Sequence, residues 1–315
     1  MTEKEIISIL ETNYPFSHVS QLQLLKGGVS NDNYLFSDGD KKYVVRICIF
    51  ESKNQIDSMI PFLKYAEANN YPTPRLVQTN GGYDFVYKND TPIVVTTYLD
   101  GDSANNITID TKHLKSLAQL VARFHLLEYK PPNTPITLNP DYIFGVYERV
   151  KDYRPTDKDA ESLRLIELVD IYYEKFKEEK FTDFVIKLPK GIAHGDINLG
   201  NVLFDGEKAV SLLDFEELGV SWQLQDVAMV LVTWLFPEGK PNKEYIEVFL
   251  KEYYKYRPMS EIEKDNILYA TEFIAFRQCV FAKSMMSKGN MESAKDFSSY
   301  WTLLYLHEHK LELEL

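Results

Sequence analysis

The sequence contains very little cysteine, because Cys48 and Cys279 are the only two among 315 residues. They lie far apart in the chain and lack the spacing of metal ligands. We therefore expect two reduced thiols in the core rather than a disulfide or a zinc site.

Long basic runs and long apolar runs are also missing. The chain has 35 Lys and Arg against 47 Asp and Glu, which gives a formal net charge of −12. Such a chain repels a phosphate backbone and tolerates cationic ligands better. No apolar segment approaches the length of a membrane span, and MTEKEIISILETNY lacks the apolar core of a signal peptide. We expect a cytoplasmic protein that binds neither nucleic acid nor a membrane.

The chain is long enough for one large domain or for two lobes. Thr2 and Glu5 form the capping-box pattern of a first helix. Five strands interrupted by one helix are then predicted, over residues 21–25, 33–36, 43–49, 55–69 (the helix), 83–87 and 93–99. Helical periodicity dominates from Thr111 onward, and five prolines within residues 129–159 predict an irregular insertion between helices.

The most informative stretch is HGDINLGNVLF at residues 194–204, followed by LLDFEE at residues 212–217. Asp196, Asn201 and Asp214 would combine two carboxylates and an amide oxygen, the ligand chemistry that Mg²⁺ prefers. A phosphoryl-transfer enzyme needs such ligands and a base that orients the attacking hydroxyl. The alternative is an ordinary hairpin, since Gly, Asp and Asn cluster at turns.

These motifs resemble the His-Arg-Asp loop, the Asn five residues later and the Asp-Phe-Gly of protein kinases. They are most similar to the aminoglycoside phosphotransferase and choline kinase superfamily, whose members phosphorylate small molecules. LPKGIAHGDINLGNVLF, RPMSEIE and the spacing from Asp214 to Asp226 to Trp234 look most like bacterial type II homoserine kinases. The resemblance implies an α+β, two-lobed protein-kinase-like fold. A small antiparallel-sheet lobe would span residues 1–98, and a larger, mainly helical lobe would span residues 99–315.

The same resemblance implies roles for the motif residues. Asp196 would be the catalytic base, and Asn201 and Asp214 would hold Mg²⁺. His194 and Asp226 would support the loop, with Asp226 accepting its backbone N–H groups. Asp226 could equally cap the helix that follows it.

The first lobe would bind ATP. In KGGVSNDN, Gly27, Gly28 and Ser30 would approach the phosphates, although two glycines also suit an ordinary hairpin. Arg46 occupies the place of the kinase phosphate-binding Lys; the alternative is an edge-strand Arg that extends to water. Its acidic partner is not evident, because Met59 stands where a kinase has Glu.

The hinge is predicted in TTYLDG. Adenine would hydrogen-bond main-chain groups of Thr97, Tyr98 and Leu99, where no side chain identifies the base.

Three residues are predicted to contact the acceptor. Glu216 and Trp234 would suit a quaternary ammonium, whereas Arg277 would receive a carboxylate. Trp234 could instead fill the core, and Arg277 could be surface charge on a helix. A buried, hydrogen-bonded structural role is expected for His125.

The expected function is ATP-dependent phosphorylation of a hydroxyl on a small molecule, with homoserine as the leading acceptor, by a monomer or homodimer. Choline, ethanolamine and aminoglycoside kinases are alternatives, and an inactive nucleotide-binding module is a remoter one. The lack of Asp-Phe-Gly and Ala-Pro-Glu argues against a protein kinase. The isolated His194 argues against a metal phosphohydrolase.

Overall fold

A computed structural model of the protein describes residues 1–25, 31–49, 53–155, 160–289 and 298–309. Its first part contains two helices and five strands: α1 (Glu3–Asn13), β1 (Val19–Leu24), β2 (Asp32–Asp38), β3 (Lys41–Ile47), α2 (Lys53–Ala68), β4 (Phe85–Lys88) and β5 (Thr91–Thr97). The strands form one antiparallel sheet in the order β1-β2-β3-β5-β4.

The remainder is mainly helical. It contains β6 (Asp102–Ser103), α3 (Thr111–His125), α4 (Pro140–Val150), α5 (Ala160–Glu178), α6 (Phe181–Ile186), β7 (Lys190–Ala193), β8 (Val202–Asp205), β9 (Lys208–Leu212), β10 (Gly219–Trp222), α7 (Leu224–Trp234), α8 (Lys243–Tyr256), α9 (Glu261–Lys264), α10 (Ile267–Ser287) and α11 (Ser298–His309). The predicted α+β fold class, with an antiparallel sheet before a helical region, is confirmed.

Helix α1 covers one face of the five-stranded sheet. Its capping box forms as predicted, with the Thr2 hydroxyl accepting from the Glu5 N–H at 3.3 Å. Ile6 and Leu10 are buried against Val45 and other inward side chains of the sheet. Burial of this apolar stripe stabilises a short helix that would be marginal in isolation.

Helix α2 packs into the larger core formed with the helical part of the chain. Phe62 lies with its ring centroid 4.7 Å from that of Phe215 and 5.8 Å from that of Phe124 on α3. The helix therefore contacts the turn that follows Asp214 directly.

Two small sheets hold the loops between the helices. Strands β7 and β10 pair antiparallel, and β8 pairs with both β6 and β9. Helix α7 is buried on almost all sides and packs against α10, as expected for a helix that is apolar all round.

The proline-rich segment 129–159 is more regular than predicted. It contains a 3₁₀ turn at Ile136–Leu138 and the helix α4. Pro140 occupies the first turn of α4, and the Asn139 side chain caps it by accepting from the Asp141 N–H at 3.0 Å. Proline starts this helix rather than breaking it, because its missing N–H would have no intrahelical partner there.

No helix in the described part of the chain combines the length and apolar character that a membrane span requires.

Helix α6 offers a matched pair of positions for testing the core. Phe181 is fully buried and stacks on Phe273 with centroids 3.9 Å apart, whereas Ile186 at the other end is 66% exposed. We expect Phe181→Ala to lower the free energy of unfolding by about 3–5 kcal/mol, because the lost contacts leave a cavity. Ile186→Ala should change it by less than about 0.5 kcal/mol. Urea denaturation of both variants measures this, and similar losses would contradict the packing.

Candidate active site

The loop at residues 194–201 joins β7 to β8, and the Asp226 carboxylate binds its backbone. The Asp226 carboxylate accepts from the backbone N–H of His194 at 2.7 Å and of Gly195 at 2.8 Å. It also accepts from the His125 ring at 2.9 Å. Asp226 lies in the first turn of α7, and its side chain faces the loop.

Burial alone would raise the pKa of Asp226, but these hydrogen bonds outweigh it and the pKa is lowered. Burial lowers the pKa of His125 against the opposing effect of Asp226, and the Tyr253 hydroxyl lies 2.6 Å from the second ring nitrogen. The structural role expected for His125 agrees with these contacts, although its link to Asp226 was not predicted.

His194 ties the loop to the strand that precedes Asp214. Its Nε2 lies 2.9 Å from the Leu213 carbonyl, and its Nδ1 accepts from the Asp196 N–H at 3.3 Å. Since a carbonyl can only accept, the proton is assigned to Nε2. The ring packs on Phe215 with centroids 4.9 Å apart.

Gly195 allows the loop to pass close to its neighbours. Its φ is +84°, and an added Cβ would lie 2.7 Å from Leu138 Cδ2 and 2.9 Å from Glu217 Cβ. Arg277 Nη1 donates to the Gly195 carbonyl at 3.2 Å. The glycine thus combines a left-handed backbone with a close approach, which only glycine accommodates without strain.

Asp196 follows, partly exposed at the surface of the loop. Its Oδ2 accepts from Asn198 Nδ2 at 3.0 Å and from Asn201 Nδ2 at 3.1 Å. Burial of the carboxyl group by the surrounding protein raises the pKa of Asp196, and the nearby Asp214 charge adds to this effect. Asn198 was not singled out from the sequence, although its place two residues after Asp196 is a short-range signal.

The structure brings Asn201 and Asp214 to the same place as Asp196. The side-chain amide nitrogen of Asn201 donates to Asp196, which leaves Oδ1 for another partner. The Leu213 N–H donates to the main-chain carbonyl of Asn201 at 2.8 Å. Asp214 has φ +63°, an uncommon conformation for a non-glycine residue that often marks a functional position. Within the described ranges, no cluster of three or more His, Cys, Asp and Glu could hold a metal. The Asn201 amide and the Asp214 carboxylate offer oxygen ligands of the kind that suits Mg²⁺.

Arg46 on β3 finds its acidic partners in the same motif. Its Nη2 lies 3.1 Å from Asp214 Oδ1 and also contacts Glu216 Oε1. Met59, at the place of the kinase Glu, is buried in the core. Glu216 also accepts from Asn31 Nδ2 at 2.5 Å. The Glu216 carboxylate is thus engaged by Arg46 and Asn31, and its contact with the acceptor stays a prediction.

Six further residues were predicted to bind the nucleotide. Gly27, Gly28 and Ser30 lie outside the described residues. At the predicted hinge, the Thr97 N–H donates to the Arg75 carbonyl at 2.8 Å, and the Tyr98 N–H donates to the Lys42 carbonyl at 3.1 Å. These two N–H groups are therefore bound within the protein. Leu99 lies just beyond them. The binding of adenine by main-chain groups of this segment stays a prediction.

Trp234 and Arg277 support the loop from α7 and α10. Trp234 is 7% exposed, its Nε1 donates to the Ile197 carbonyl at 3.2 Å, and its ring packs near Phe204. This position agrees with the core alternative, and a contact of Trp234 with the acceptor stays a prediction. Arg277 is 5% exposed, so the alternative of a surface charge is wrong. Its Nε has no hydrogen-bond partner within the described residues.

Glu217 is a residue of this site that the sequence did not single out. Its carboxylate accepts from the Thr137 hydroxyl in the segment that precedes α4. Burial raises the pKa of Glu217 to about 7, opposed by the charge of Arg277 and reinforced by those of Asp196 and Asp214. Its position beside Glu216 was the available signal, but two adjacent acids do not reveal which one faces the loop.

The pKa of Glu217 predicts a pH-dependent contribution to stability. The folded state holds this proton more tightly than the unfolded chain, whose ordinary pKa is near 4.5. The contribution is therefore fully present below pH 4.5 and is lost as the pH rises through 7, by at most about 3 kcal/mol. Without nucleotide and metal, the stability of the wild type relative to Glu217→Gln should fall over this range in urea denaturation. The exposed control Glu247→Gln should give a flat difference. A relative stability that rises with pH would contradict the assignment.

The close approach at Gly195 predicts the cost of a single methyl group. Gly82 has a similar φ of +76° with no atom within 4 Å of an added Cβ, so Gly82→Ala should cost only the backbone strain of about 1–2 kcal/mol. Gly195→Ala should cost about 1–3 kcal/mol more, because Leu138 and Glu217 must move. Equal losses in urea denaturation would contradict the contact.

Comparison with known proteins identifies the family. The model of a family described as the phosphotransferase enzyme family matches residues 21–262. A homoserine kinase of Methylobacillus glycogenes is 24% identical over 251 residues, which cover 79% of this chain and 75% of that protein.

Solved structures share the fold. A microcompartment-associated aminopropanol kinase has a TM-score of 0.73 at 18% identity, covering 98% of both chains. An amicoumacin kinase solved with AMP-PNP and Ca²⁺ has a TM-score of 0.69 at 16% identity, covering 99% of this chain and 94% of that one. The chain therefore belongs to the phosphotransferase enzyme family and is a small-molecule kinase.

Proposed function

We propose that this kinase transfers the γ-phosphoryl group of ATP to the hydroxyl of homoserine. Its membership in a kinase family implies the use of ATP. The observation that carries the choice of acceptor is Arg277, a buried guanidinium beside the loop that bears Asp196, whose Nε has no hydrogen-bond partner among the described residues. A substrate carboxylate would supply one. Relatives described as homoserine kinases support this choice.

In this proposal Asp196 is the catalytic base. Its Oδ2 is fixed by Asn198 and Asn201, so Oδ1 would receive the proton of the acceptor hydroxyl. The raised pKa of Asp196 improves its match to a proton acceptor near neutral pH. The acceptor oxygen attacks the γ-phosphorus, the bond to the β-phosphate oxygen breaks, and ADP leaves.

Asn201 Oδ1 and the Asp214 carboxylate would hold Mg²⁺, which supplies charge neutralisation on the phosphates when bound. Arg46 is proposed to contact the phosphates, together with Gly27, Gly28 and Ser30. Main-chain groups of Thr97, Tyr98 and Leu99 are proposed to bind adenine.

A second acceptor class is a primary amino alcohol without a carboxylate. The observation that favours it is the excess of acids around the base, where the charges of Asp214 and Glu217 face Asp196. The similar fold of an aminopropanol kinase agrees with this class.

An ADP-release assay with Mg²⁺ and ATP tests the proposal against homoserine, 3-aminopropan-1-ol, ethanolamine, choline and aminoglycosides. 3-Aminopropan-1-ol is homoserine without its carboxylate, so a higher kcat/KM for homoserine supports carboxylate recognition. Asp196→Asn should lower kcat by about 10²–10⁴-fold, the usual contribution of a general base. The exposed control Asp205→Asn should retain wild-type turnover.

Two outcomes overturn separate parts of the proposal. Turnover of another acceptor without turnover of homoserine would reject homoserine as the substrate. Full turnover by Asp196→Asn would reject Asp196 as the base.

A further inference from the structure

The two adjacent acids after Phe215 have different surroundings. They share one 3₁₀ turn, Phe215–Glu217. Glu216 faces the sheet, where Arg46 and Asn31 bind it. Glu217 instead reaches the segment before α4, where Thr137 donates to it. The turn thus directs the two acids toward different parts of the structure.

Glu217 lies next to the residue that precedes the base. Its Cβ is 2.9 Å from the position of a Cβ on Gly195, and its charge interacts with those of Asp196, Asp214 and Arg277. The segment that contributes Thr137 also borders this region, because Thr134 accepts from the Val220 N–H at 3.1 Å. Glu217 therefore lies beside the loop that carries the proposed base, where the acceptor hydroxyl would have to be placed.

Glu217 forms no close ion pair with a cationic side chain of the described residues. Among the described residues, none of the ion pairs within 4.0 Å includes Glu217. Arg277 is committed through Nη1 to the Gly195 carbonyl. Three carboxylates, those of Asp196, Asp214 and Glu217, thus interact near the Arg277 guanidinium, and only Asp214 also contacts Arg46. Burial raises the pKa of Glu217 to about 7, and the two other carboxylates add to this effect. A cationic ligand would relieve this imbalance.

The contacts favour an ammonium that carries N–H groups. A carboxylate oriented by a hydroxyl offers oxygen acceptors, which suit a primary ammonium. A quaternary ammonium is instead recognised by exposed aromatic faces. Trp234, the aromatic residue predicted for that task, is buried against the loop and Phe204.

We infer that Glu217, oriented by Thr137, receives the primary ammonium of the phosphoryl acceptor and selects amine-bearing alcohols. This inference rests on the proposed kinase reaction, but it does not require homoserine. With homoserine, Glu217 would bind the ammonium while Arg277 binds the carboxylate. With an amino alcohol, Glu217 would be the main selective contact.

A pair of acceptors isolates the ammonium. Homoserine and 4-hydroxybutanoate share the hydroxyl and the carboxylate, and only homoserine has the amine. We expect the wild type to favour homoserine in kcat/KM by on the order of 10³-fold or more, because the analogue leaves a buried acid without its partner. In Glu217→Gln this ratio should narrow by at least about 10²-fold, mainly through KM.

Thr137→Val provides a second variant. It keeps the shape of the side chain and removes the hydroxyl that orients Glu217, so the ratio should narrow in the same direction by about 3–10-fold, the equivalent of a typical net hydrogen bond. The exposed control Glu247→Gln should keep the wild-type ratio. Ratios that stay at the wild-type value in both site variants would overturn the inference.

The assay also separates this inference from the choice of homoserine. If the wild type phosphorylates 3-aminopropan-1-ol but not homoserine, homoserine is rejected as the acceptor. The ratio of kcat/KM for 3-aminopropan-1-ol to kcat/KM for propan-1-ol, in the wild type and in Glu217→Gln, then decides the role of Glu217. A wild type that does not discriminate between an amine and its des-amino analogue would overturn the role of Glu217 for any acceptor.

Discussion

The carboxylate of Asp226 organises the catalytic loop, because it binds two consecutive backbone N–H groups and a buried histidine at once. Buried N–H groups require partners, and a loop that turns sharply at Gly195 cannot supply them from its own backbone. With this end of the loop fixed, His194 can bind the Leu213 carbonyl and bring the two halves of the motif together. The positions of Asp196 and Asp214 therefore depend on one carboxylate from α7.

Acidic residues lie on both sides of this loop, and one arginine accompanies them on each side. Arg46 balances Asp214 and Glu216 on the side of the five-stranded sheet. On the other side Glu217 and Asp196 lie near Arg277, which is bound to the loop. Each side thus has two acids for one arginine, and on the proposed acceptor side this excess of negative charge suits a cationic substrate.

Local patterns predicted much of the fold and the centre of the site. Thr2 and Glu5 form their capping box as predicted, since such a signal acts over three residues. The partners of Arg46 were not predictable, because Asp214 lies 168 residues away in the chain. Glu216 and Glu217 are chemically identical neighbours, and only the left-handed backbone at Asp214 and the turn after it direct them apart. The prolines within residues 129–159 predicted an irregular segment, yet Pro140 lies in the first turn of α4. The effect of a proline depends on its position relative to a helix.

The contact between Phe62 and Phe215 has an evolutionary consequence. Helix α2 carries none of the residues assigned to chemistry, yet its aromatic side chain rests on the residue between Asp214 and Glu216. Changes in the volume of α2 side chains can shift both acids together, because a packed interior transmits displacement. Natural variation in this helix could therefore retune nucleotide affinity and turnover while every chemical group of the site is retained.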